Sequence, residues 1–124
     1  MLRNLTLTMV CALILAAAQP ALAQKTGPHG GLVAGKEGHQ TELVLSASEL
    51  TVYILDHGKV HDTKDVKIKA VVQDGGKTTS IDLVAADGKR MVGKLAAPLG
   101  KGAIVVLTGK DDHGDVISAR YVLK

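Results

Sequence analysis

Five histidines, His29, His39, His57, His61 and His113, are the residues of this 124-residue chain best suited to carry chemistry. Neutral imidazole together with carboxylate suits zinc, copper or nickel, and cysteine-free sites of this kind are common outside the cytoplasm. His29 stands in Pro28-His29-Gly30-Gly31, where the flanking glycines let the backbone come close to a bound ion or to a neighbouring strand. His39 opens a strand pattern, with Glu42 three positions on. His57 and His61 flank a Gly-Lys turn and His113 lies in another turn; each reads either as a ligand or as an exposed turn residue. In a regular strand His39 and Glu42 point to opposite faces, so both reach one ion only if a bulge or the strand end re-aims one of them.

Other chemistries find little support. Cys11 is the only cysteine, and Ser46, Ser48, Ser80 and Ser118 do not stand in a nucleophile elbow. Asp111 and Asp112 share a turn, where solvated charge is the ordinary explanation, and the Gly-rich stretches lack the following helix of a phosphate-binding loop. The chain is therefore expected not to be an enzyme. Its lysines are scattered and its only aromatic residues are Tyr53 and Tyr121, which excludes the basic stripe and stacking rings of a nucleic-acid binder.

The elements that must position the histidines begin after a leader. Arg3, the ten-residue apolar run Met9–Ala18 and the small residues of Ala21-Leu22-Ala23 predict a signal peptide over 1–23, with a run too short to span a bilayer. The expected product is periplasmic or secreted and is not embedded in a membrane. Cleavage removes Cys11, so neither thiol nor disulfide remains. It also removes Arg3 and lowers the formal charge from +3 to +2. Residues 24–38 read as an extended Gly-rich leading segment with a short strand at Leu32–Ala34, and 39–124 as the folded domain.

From Gln40 the pattern has a period of two, with Thr41, Leu43 and Leu45 on one face. Further strands are expected at Thr51–Asp56, Val66–Val72, Thr78–Val84, Met91–Leu95, Ala103–Thr108 and Val116–Leu123, separated by Gly-containing turns. This predicts an all-β fold, a single antiparallel β-sandwich of immunoglobulin-like type with about seven strands. Its expected core is Leu43, Leu45, Val52, Ile54, Ile68, Ile81, Leu83, Ile104, Val106, Tyr121 and Leu123. With no Phe or Trp in the chain, aliphatic residues must fill it.

Pro28-His29-Gly30-Gly31, then Gly38-His39-Gln40-Thr41-Glu42-Leu43-Val44, then Leu50-Thr51-Val52-Tyr53-Ile54-Leu55-Asp56 resemble a group of small periplasmic proteins and the similar segment attached to heavy-metal efflux adaptors. The resemblance covers about a third of the chain after the leader. It implies metal binding linked to efflux or homeostasis, with His29, His39, Glu42 and Asp56 as candidate ligands. Gln40 stands where some of that group have a second histidine. Met91 is the only methionine after the leader, so an N/O site for a divalent ion, Cu, Zn or Ni, fits better than a thioether site for Cu(I). The alternative is an interaction module that docks on an efflux adaptor or another envelope protein through an exposed edge strand or the Gly-rich leading segment.

Overall fold

Alternation of apolar and polar residues builds two antiparallel sheets from residues 25–124, the part of the chain that the computed structural model describes. The expected signal segment 1–23 lies outside the described residues. The strands are β1 (Lys25–Thr26), β2 (Leu32–Lys36), β3 (His39–Leu45), β4 (Glu49–Asp56), β5 (Lys59–Val60), β6 (Lys67–Asp74), β7 (Lys77–Asp82), β8 (Val84–Ala86), β9 (Arg90–Lys94), β10 (Ile104–Lys110) and β11 (Val116–Val122). The first sheet has the order β1-β2-β3-β4-β9-β8, with β5 paired to β4, and the second has the order β11-β10-β6-β7. Among the described residues there is no helix, and so none long and apolar enough to cross a membrane. The described residues form eleven strands because β1, β5 and β8, two or three residues each, are too short to show a period. The leading segment is built into the first sheet, since β1 pairs with β2 and β2 with β3.

The inward faces bury Leu43, Val52 and Ile54 from the first sheet against Ile68, Val72, Val105, Leu107 and Tyr121 from the second. Tyr121 is the largest fully buried side chain among the described residues. Its hydroxyl donates to the Thr41 carbonyl at 2.6 Å and lies 2.6 Å from Thr41 Oγ1, so a polar bridge passes through the apolar layer from β11 to β3. Burial pushes this hydroxyl's pKa up to about 12.

Three core expectations are corrected. Ile104 and Val106 are only half-buried, and Val105 and Leu107 take the inward positions. Cross-strand partners share a face, and Val105 stands between Val72 and Tyr121 while Leu107 stands between Ala70 and Ala119. Leu123 follows the last strand and is likewise half-buried. Leu45 and Ile81 pack on the core from partly buried positions. The strand expected at Thr78–Val84 is two strands: β7 ends at Asp82 in the second sheet and β8 starts at Val84 in the first. Leu83, buried between them, donates its N–H to the Ile68 carbonyl at 3.0 Å.

Tyr121→Phe is expected to cost about 1–2 kcal/mol at neutral pH, because the Thr41 groups lose their buried partner. A tyrosine whose folded pKa is raised contributes stability that is fully present below the unfolded value of about 10 and is lost as pH rises towards 12. Urea unfolding across that window should show a decline in the wild type that is smaller in Tyr121→Phe. Equal declines would mean that the hydroxyl is not shielded.

Candidate functional site

Glu42 lies on the outward face of β3, opposite Tyr53 of β4, and is nevertheless fully buried. The cover is the turn between β1 and β2, closed by N–H donation from Gly27 to the Gly31 carbonyl at 2.9 Å and from Gly30 to the Gly27 carbonyl at 3.0 Å. The backbone N–H groups of His29 and Gly31 donate to Glu42 Oε2 at 2.8 and 2.9 Å, and His29 Nδ1 lies 2.8 Å from Oε1. A carboxylate offers only lone pairs, so Nδ1 carries a proton and donates it to Oε1. The imidazole lies flat on Tyr53, with ring centroids 3.6 Å apart and planes within 4°. This approach requires glycine: a Cβ at Gly27 would overlap the Glu42 carboxylate, and one at Gly31 the Leu43 carbonyl. Three donors offset the large cost of burying the carboxylate.

His39 lies elsewhere. It begins β3 on the face shared by Thr41 and Leu43, and so opens towards the second sheet at the end of the sandwich where β4 finishes. Its cross-strand partner is Asp56. The β4–β5 turn brings the His57 ring over Gly38, where a Cβ would sit only 3.2 Å from the imidazole. The His57 ring centroid stands 6.5 Å from that of His39.

Two more segments close on this mouth. His61 follows β5 and is tied to β4 by its N–H, which donates to the Ile54 carbonyl at 2.7 Å. Asp111 organises the β10–β11 turn: its Oδ1 accepts from the N–H groups of His113 at 2.9 Å and Asp115 at 2.8 Å. The turn presents Asp112 to His61, with Nε2 and Oδ1 3.1 Å apart, and His113 Nε2 lies 3.7 Å from the same oxygen. The hydrogen bond from His61 holds the Asp112 carboxyl below its ordinary pKa, and the charges of His113 and His61 add to this against a smaller opposing effect of desolvation. A cleft of about 50 Å³ is lined by His39, Asp56, His61, Asp111, His113 and Asp115, among others.

The four candidate ligands therefore fall into two places. His29 and Glu42 meet on the outward face of the first sheet, where both carboxylate oxygens are held by the loop. His39 and Asp56 meet at the mouth. Among the described residues, two groups have ligand atoms all within 4.8 Å of one another: His61, Asp112 and His113, and His39, Asp111 and Asp115. His29 and Glu42 belong to neither. Of the three aspartates of the β10–β11 turn, sequence reasoning reads Asp111 and Asp112 as solvated charge and does not single out Asp115. Their signal was density, since Asp111-Asp112-His113-Gly114-Asp115 offers four ligand-bearing side chains in five residues. No protein-family model matches the chain, and neither a curated protein nor a solved structure is significantly similar to it.

Glu42→Ala is expected to lower stability by about 2 kcal/mol or more, because two backbone N–H groups lose their buried acceptor. Glu42→Gln should keep most of the stability by moving the His29 proton to Nε2, so that Nδ1 accepts from the amide. Urea unfolding measures the first effect and imidazole ¹⁵N chemical shifts the second. A loss below about 0.5 kcal/mol for Glu42→Ala would mean that the loop does not depend on the carboxylate.

Proposed function

We propose that the chain is an exported, non-enzymatic domain that binds a divalent transition metal at the mouth of the sandwich, through His61, His113 and Asp112. The observation that carries this reading is the convergence of two Nε2 atoms on one carboxylate oxygen, at 3.1 and 3.7 Å. Ligand atoms held about 2.0–2.1 Å from a tetrahedral ion stand roughly 3.3 Å apart, between those two values. Two imidazoles and a carboxylate suit Zn(II), Cu(II) or Ni(II), and three protein ligands are the number used where water or a partner group supplies the fourth. The resemblance of the Pro28–Gly31 and His39–Val44 segments to periplasmic metal-associated proteins supports the same chemistry. A role in metal efflux or homeostasis follows, with an efflux adaptor or another envelope protein as the partner. His29 and Glu42 act in this reading as the latch of the leading segment.

Calorimetric titration with Zn(II), Cu(II) and Ni(II) tests the proposal. The wild type should bind at least one of them more tightly than about 1 mM. His61→Ala and His113→Ala should each weaken that binding at least tenfold, about 1.4 kcal/mol, while His29→Ala leaves it unchanged. Binding should also weaken on acidification, because imidazole ligates a metal only in its neutral form. If no ion binds, the docking-module reading replaces this one. If only His29→Ala abolishes binding, the site is on the outward face of the first sheet.

A further inference from the structure

We infer that the same mouth holds a second cation, of a harder kind, on His39, Asp111 and Asp115. The inference rests on reading the mouth as a metal centre and adds to it a second, chemically different site. The two triads are separate sets of ligand atoms, each with its own members within 4.8 Å of one another. Their donors differ: the first offers two imidazoles and one carboxylate, the second one imidazole and two carboxylates. Two carboxylates neutralise a dication, which lets a second ion enter beside a first that retains positive charge.

The side chains are disposed to receive an ion. Among the described residues, His39 makes no side-chain hydrogen bond or ion pair, only its tilted ring contact with His57, and the Asp115 carboxylate makes neither. Both line the cleft. Asp111 is fixed by the two N–H groups that its Oδ1 accepts. Asp56, the cross-strand partner of His39, adds a further carboxylate to the same wall.

Oxygen-rich ligation with a single imidazole suits Mn(II) better than Cu(II), while calcium takes six to eight oxygens and magnesium keeps most of its water. Mn(II) is also the weakest competitor of the first-row divalent ions for a nitrogen-rich site, so it does not displace Zn(II) from His61 and His113.

The test is Mn(II) titration of protein loaded with one equivalent of Zn(II), followed by the electron paramagnetic resonance signal of free Mn(II), with native mass spectrometry counting the ions. The expected result is one Zn(II) and one Mn(II) per chain. Asp115→Asn should weaken Mn(II) binding at least tenfold with Zn(II) retained, and His61→Ala should lose Zn(II) with Mn(II) retained; circular dichroism checks that each variant is folded. If Zn(II) binds and Mn(II) does not, the second site is refuted and the transition-metal reading stands. If Mn(II) binds through Asp115 and Zn(II) does not bind, the first triad is refuted and the second site stands. Binding of neither overturns both, and Mn(II) binding indifferent to Asp115→Asn overturns the assignment made here.

Discussion

The Glu42 carboxylate sits on the outward face of a sheet with no exposed surface, and a buried charge is tolerated only when donors reach its oxygens. Those donors come from residues 29–31, so the leading segment has to cross β3. That requirement accounts for much of the local architecture. It sets the β1–β2 turn over Glu42 and excludes side chains at Gly27 and Gly31. It also lays His29 on Tyr53. The inward face of the same strand carries the other buried polar contact, between Thr41 and Tyr121. β3 is thus anchored on both faces, at adjacent residues.

How far the sequence discloses this depends on the element. β11 alternates cleanly, and the inward faces of β3, β4 and β11 read correctly from Leu43, Val52 and Tyr121, although Glu42, Thr51 and Leu55 on the outward faces are buried as well. β10 is apolar on both faces along Ile104–Leu107, so its parity rests on Thr108 and Lys110, which mark the outward side. The break at Leu83 was hidden because an apolar residue continues the pattern while the chain passes from one sheet to the other. The burial of Glu42 was not legible, since alternation places it outward and only the folded loop covers it. At the mouth, the pairing of His39 with Asp56 follows from the hairpin. The approach of His61 to Asp112 joins residues 51 apart in the chain, and nothing local encodes it.

The two histidine environments differ in what holds them. His29 is clamped by a carboxylate and a ring. His61 is held at its backbone by the Ile54 carbonyl, while its side chain meets an aspartate carried on a turn that Asp111 itself organises. Geometry at the mouth is therefore set by backbone hydrogen bonds in two sheets, with side chains left to face the cleft. Rigid supports of this type favour converging ligands.

His61 extends from the first sheet, and Asp112 and His113 from a turn of the second. Residues 25–124 contain no cysteine, so no covalent cross-link restrains the chain on unfolding. An ion held as proposed bridges residues 51 apart in the chain, but unlike a disulfide it is released when the chain unfolds, so it stabilises the folded domain by mass action, by about 2.7 kcal/mol at a free concentration a hundred times its dissociation constant. The mouth then couples folding to metal supply, and the melting temperature of the domain becomes a gauge of the metal content around it.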